Sequence, residues 1–143
     1  MNKRLTCCLI TVLGVLALTA GSNVARGAGD ELPVVAINVA DASASEVPST
    51  DTGRFRVTRT GATDTDLIVF YAVSGTATNG ADYNVLRGRV TIRAGRTSAG
   101  IAVRPIDDTI PEPDETVIVT LSPDASYTIG SPSTGTVTIH SNE

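Results

Sequence analysis

Apolar residues recur at every second position in short runs along this chain, and Gly, Pro, Asp or Ser cuts off each run. Val90 and Ile92 alternate with Arg89, Thr91 and Arg93. Val117, Val119 and Leu121 do so with Ile118 and Thr120, and Val137 and Ile139 with Thr136 and Thr138. A period of two sends successive side chains to opposite faces, the mark of a half-buried strand, and the period of an amphipathic helix is absent. In GRFRVTRT, Phe55 and Val57 are assigned to the inner face and Arg54, Arg56 and Arg59 to the outer one. Strands are predicted near Val34 to Val39, Gly53 to Thr60, Leu67 to Ala77, Arg89 to Arg93, Ser98 to Pro105, Thr116 to Leu121 and Gly135 to His140. Short strands at even spacing, separated by turn residues, predict an all-β, two-sheet sandwich. LIVFYAV is apolar in both parities. It reads as a central strand covered on both faces, with an exposed partner surface as the alternative. Gly75, Gly80, Gly88, Gly95 and Gly100 read as turn and bulge residues.

The N-terminus carries a targeting pattern. Lys3 and Arg4 precede an apolar run from Leu9 to Ala20, and small residues follow at Ala20, Gly21 and Ala25 to Gly29, as in a secretory signal peptide. The run is shorter than the roughly 20 residues of a membrane span. Residues 1–28 are therefore assigned to the signal, with cleavage between 20 and 29, and residues 29–143 to a single domain, secreted or periplasmic. Cys7 and Cys8 precede the apolar run, which argues against lipid attachment, and they leave with the signal. The exported part then has no disulfide to staple it, so a small domain must rely on its core and on any bound ion.

Loss of the signal leaves eight arginines against fifteen acidic residues, a net charge of −7. An acidic surface disfavours nucleic acid and anionic lipid as partners, because both require basic patches.

The acidic residues are unevenly spread. IDDTIPEPDET, from Ile106 to Thr116, packs Asp107, Asp108, Glu112, Asp114 and Glu115 together without Lys or Arg. Pro111 and Pro113 cannot donate ladder hydrogen bonds, so this stretch belongs to a loop at a sheet end. Two like charges about 4 Å apart repel by roughly 1 kcal/mol in bulk water, and more where water is excluded. Ca²⁺ relieves such crowding by taking about 6–8 oxygen ligands in flexible geometry. A solvated acidic loop is the competing reading.

Other chemistries find little support. His140 is the only histidine, and it has no cysteine in the exported part to complete a zinc site. There is no nucleophile elbow and no phosphate loop. Asp82 and Glu112 form a conceivable glycosidase pair, but no aromatic-lined sugar cleft accompanies them. Tyr83 is expected to pack at the sandwich end beside a turn at Asn79 and Gly80, and Tyr127 to close a loop onto the core. His140 is expected on the surface.

Taken in order, GRFRVTRTG, VFYAVSGTATNGADY, RGRVTIRAGRTSAGIAVRPIDDTIPEPDETVIVTLS and STGTVTI resemble the successive strands of a Calx-beta domain, the module of sodium/calcium exchangers and many extracellular adhesion proteins. The likeness runs from Ala36 to His140. It implies an immunoglobulin-like sandwich with calcium bound at one rim. Carried over by position, the implied ligands are Glu46, Asp82, Asp108, Glu112, Glu115 and the carbonyl of Ile110, with Asp107 ranked lower. Two departures stand out. Ser141, Asn142 and Glu143 follow His140 where binding members carry an Asp run, and Thr109 replaces a third loop Asp. Fewer charged ligands imply weaker binding and one ion instead of several, with Asn142 or Glu143 available to complete the site. The expectation is an exported calcium-binding module, structural or interactive and not enzymatic, with a protein partner at the cell surface or matrix. The alternative is an ion-free scaffold or adhesion domain.

Overall fold

The computed structural model describes residues 31–47 and 50–141; the assigned signal segment and its cleavage window, together with Asn142 and Glu143, lie outside the described residues. Nine strands follow in chain order: β1 (Val34–Asp41), β2 (Ser43–Ser45), β3 (Gly53–Thr60), β4 (Leu67–Gly75), β5 (Arg89–Ile92), β6 (Ser98–Val103), β7 (Glu115–Leu121), β8 (Thr128–Ile129) and β9 (Thr134–His140). They form two sheets, one ordered β6-β3-β1-β8 and the other β2-β9-β7-β4-β5. The seven alternating runs are all strands, and the sandwich architecture stands as expected. Strands β2 and β8 are additional. Both pair in parallel, β2 with β9 over Ser43↔Thr138 to Ser45↔His140, and β8 with β1 over Val34↔Thr128 and Val35↔Ile129.

The core follows the alternation. Phe55 and Val57 of β3, Val117 and Val119 of β7, and Val137 of β9 are fully buried. Apolar side chains of this size each contribute roughly 1.5–3 kcal/mol when fully withdrawn from water. Tyr127 closes its loop as expected: its hydroxyl donates to the Ser122 carbonyl and accepts from the Phe70 N–H at 3.1 Å. Tyr83 is also fully buried.

Three expectations need correction. LIVFYAV becomes β4, second from its sheet edge, and only one face is covered: Ile68 and Phe70 point outward and remain exposed. Gly100 is no turn residue. It sits inside β6 with a negative φ, whereas Gly75, Gly80, Gly88 and Gly95 have positive φ. Arg59 shares the parity of Phe55 and Val57 and points inward, only 4% exposed. Its guanidinium donates to four backbone carbonyls: Nε to Arg96 at 2.9 Å, Nη1 to Thr65 at 2.8 Å, and Nη2 to Thr63 at 3.0 Å and Arg93 at 3.2 Å. A buried cation is tolerated when its donors find acceptors, and here two loops supply carbonyls for four of the five N–H groups.

Candidate metal centre

The rim lies at the opposite end of the sandwich from Arg59, where β3, β7 and the tail of β9 meet the loops that follow β4 and β6. Gly75 opens it. With φ at +123°, a Cβ at Gly75 would stand 2.1 Å from the Thr116 carbonyl oxygen, so only glycine lets β4 end this close to β7. Thr76 and Thr116 then lock the two strands. The Thr116 N–H donates to Thr76 Oγ1 at 2.8 Å, and the Ala77 N–H to the Thr116 carbonyl at 3.1 Å.

This zipper delivers Asp82 to the start of β7. A turn encloses Thr78 to Asp82, in which the Asp82 N–H donates to the Thr78 carbonyl at 3.1 Å and the Thr78 N–H donates back to Asp82 Oδ2. The Ile106 N–H reaches the Asp82 carbonyl at 2.9 Å, tying the acidic loop to that turn. Glu115 is the first residue of β7, paired with Ile139. Glu112 lies two residues before Asp114, between the two prolines. Glu46 arrives by another route. The chain leaves the first sheet after β1, joins the edge of the second as β2, and bonds the Glu46 N–H to the His140 carbonyl at 3.3 Å.

One carboxylate oxygen from each of Asp82, Glu112 and Glu115 lies within 4.8 Å of the other two. Oxygens at about 2.3–2.6 Å from a single Ca²⁺ can be this far apart, so the three are spaced to share one ion. Among the described residues, none of the three pairs with an arginine. Glu115 shows the resulting stress. Its carboxyl is pushed up to about 7, chiefly by burial, then by the hydrogen bond it shares with Asp82 and by the negative charges of Asp82, Glu112 and Glu46.

The remaining predicted residues fall outside this trio. Glu46 is buried, at 4% exposure, and close enough for its charge to act on Glu115. Asp108 and Ile110 are exposed and bonded to one another, with the Ile110 N–H donating to Asp108 Oδ1 at 2.8 Å. Asp107 is exposed as well. Asp114 engages His140, which is exposed as expected, at 2.7 Å through Nδ1.

The profile of the Calx-beta domain matches residues 30–143. Sodium/calcium exchanger 1 of Bos taurus is 36% identical across 57% of this chain, and that of Canis lupus familiaris 35% across the same share. The match spans only about a tenth of the exchangers' own length, at 10%. Among solved structures, the apo form of the Calx CBD1 domain superposes with a TM-score of 0.61 at 24% identity, covering 79% of this chain and 100% of that one. The calcium binding domain CBD12 of CALX1.1 gives 0.61 at 25% identity, covering 75% and 44%. Both the sequence match and the shared fold lead to the same conclusion: the chain belongs to the Calx-beta domain family.

Proposed function

We propose that this domain binds one Ca²⁺ at the rim formed by Asp82, Glu112 and Glu115, flanked by Glu46, and serves as an exported structural or interaction module. The observation that carries the reading is the convergence of three carboxylate oxygens within 4.8 Å without an arginine to neutralise them. The relationship to exchanger domains, one of them described as calcium binding, supports it. Export rests on the N-terminal pattern, and a surface or matrix partner on the use of such modules in adhesion.

A binding role fits this geometry better than hydrolysis. Glycosidase carboxylates flank a sugar at about 5–5.5 Å or about 6.5–9.5 Å. Asp82 and Glu112 bring oxygens within 4.8 Å of one another and of a third carboxylate, Glu115, an arrangement of three acids around one point and not of two acids flanking a bond.

Three carboxylates and a nearby fourth form a modest ligand set, so the affinity belongs near the roughly 10⁻⁴–10⁻³ M of extracellular modules. The deciding measurement is thermal unfolding with millimolar Ca²⁺ against chelator. At a free concentration about 100 times Kd, linkage gives roughly 2.7 kcal/mol of stabilisation. Mg²⁺ should stabilise less, because it demands tighter octahedral geometry and gives up water reluctantly. Superimposable melting curves would reject the ion and leave a rim neutralised by solvent and by the proton shared between Asp82 and Glu115.

A further inference from the structure

At the side of the sandwich, β5 and β6 are joined by the tight Arg93–Arg96 turn, where the Arg96 N–H donates to the Arg93 carbonyl at 2.9 Å. They nevertheless lie at the edges of different sheets and form no ladder with each other. A groove of about 310 Å³ opens between them. Tyr71 and Leu86, both largely buried, lie within it.

Hydrogen-bond phase fixes what the two banks offer. The Arg59 N–H donates to the Thr97 carbonyl, so in the antiparallel register of β3 and β6 the bonded pairs continue as Val57↔Ala99 and Phe55↔Ile101. Ser98, Gly100 and Ala102 therefore direct their N–H and carbonyl groups away from β3. On the other bank the Tyr71 N–H donates to the Gly88 carbonyl, which by the same alternation turns the backbone groups of Arg89 and Thr91 away from β4. Asn84 already occupies one end of this vacant ladder: Arg104 N–H donates to its Oδ1 at 2.7 Å, and the Asn84 N–H donates to the Arg104 carbonyl at 2.9 Å.

Exposed sheet edges are ordinarily blunted by charge, proline or a bulge on the strand itself. Strand β6 reads SAGIAV and carries none of these. The groove is nonetheless basic. Arg87, Arg89 and Arg104 line it, all exposed and without a carboxylate partner among the described residues, and no acidic residue is among its lining. That is a local reversal on a chain of net charge −4.

We propose that this groove accepts an extended acidic segment of a partner protein, which adds as a strand to β6 while its carboxylates meet Arg87, Arg89 and Arg104. Backbone pairing supplies affinity in this mode and alternate side chains supply selectivity. A sequence that alternates Glu with a β-branched residue meets both requirements. The chain's own acidic run is unsuited, since Pro111 and Pro113 break any ladder.

The test uses protein made from the full-length chain, in chelator and again in Ca²⁺, so that its outcome is separate from that of the rim site. The probe is a fluorescein-labelled heptapeptide alternating Val and Glu. Two controls accompany it, one with Lys for each Glu and one with Pro for the central Val, and binding is read by anisotropy. The acidic peptide should bind saturably and shift the Gly100 and Ala102 amide resonances. The Pro peptide should bind roughly tenfold more weakly, the equivalent of one or two lost hydrogen bonds. Arg87→Glu with Arg89→Glu should abolish binding while leaving the melting curve in place. Gly100→Pro removes one outward N–H and leaves the arginines intact, and a Cβ there meets nothing closer than 3.8 Å; it should weaken binding as the Pro peptide does. Equal binding of the Lys or Pro peptide would overturn strand addition. So would an absence of saturable binding, or a dimer in sedimentation that excludes the peptide.

Discussion

The two ends of this sandwich carry opposite solutions to the same electrostatic problem. At one end Arg59 is a buried cation whose donors are met by the carbonyls of Thr63, Thr65, Arg93 and Arg96. At the other, Asp82, Glu112 and Glu115 crowd their oxygens within 4.8 Å with no cation among them. The first end is satisfied from within, because two loops of the same chain supply four carbonyl acceptors. The second is complete only with a guest or a proton. A charged group therefore stabilises a fold when the chain provides its counterpart, and marks a binding site when it does not.

The largest expected effect breaks the closed end. Arg59→Ala should cost roughly 3 kcal/mol or more, since it removes a packed side chain and strands carbonyls that two loops aim inward. Arg59→Lys should recover only part, because one ammonium cannot reach acceptors arranged around a planar fork. Urea unfolding of the three proteins tests this, and a loss below about 1 kcal/mol for the alanine variant would show that the loops do not depend on Arg59.

Arg59 also shows where sequence reasoning fell short. Parity along β3 pointed it inward with Phe55 and Val57, while its charge pointed it outward, and parity was right. The four carbonyls that decide the matter come from the loop between β3 and β4 and the loop between β5 and β6, and no local pattern around residue 59 reveals that they converge. Strands β2 and β8 were illegible for a related reason. Segments of three and two residues show no alternation, and their order comes from the neighbours they pair with. At the rim, the acidic run and the family resemblance together brought out Asp82, Glu112 and Glu115. What stayed hidden was how the other carboxylates are occupied. Asp108 turns back on the Ile110 N–H through local loop geometry, and Asp114 turns to His140, 26 residues along the chain, through the pairing of β7 with β9; composition encodes neither.

At the open end, Glu112→Gln should remove most of the roughly 2.7 kcal/mol gained from Ca²⁺ at saturating concentration, with the apo protein as stable as before or slightly more so. Glu112 is in the Pro-flanked loop and is only half-buried, so the fold has little else to lose. Isothermal titration and melting curves in parallel would check both halves of the claim. A variant that keeps the full calcium shift would exclude Glu112 as a ligand and narrow the site to Asp82, Glu115 and Glu46.

The smallest effect is the most diagnostic, because it concerns the proton. The Glu115 carboxyl is raised from an ordinary 4.5 to about 7 by burial and by its acidic neighbours. A folded-state value above the unfolded one means that the native protein holds the extra proton between about 4.5 and 7. The stability it confers is thus fully present below the lower value and is lost as pH rises through the upper one. Without calcium, the melting temperature should decline by a few degrees between these limits and level off above them. Ca²⁺ must displace that proton, so its affinity should strengthen over the same interval and binding near neutral pH should release protons into the buffer. Glu115→Gln should flatten the decline in the chelated protein, because the amide stays neutral throughout. If the decline persists unchanged in that variant, the shared proton lies elsewhere, and the two ends of the sandwich are more alike than their geometry implies.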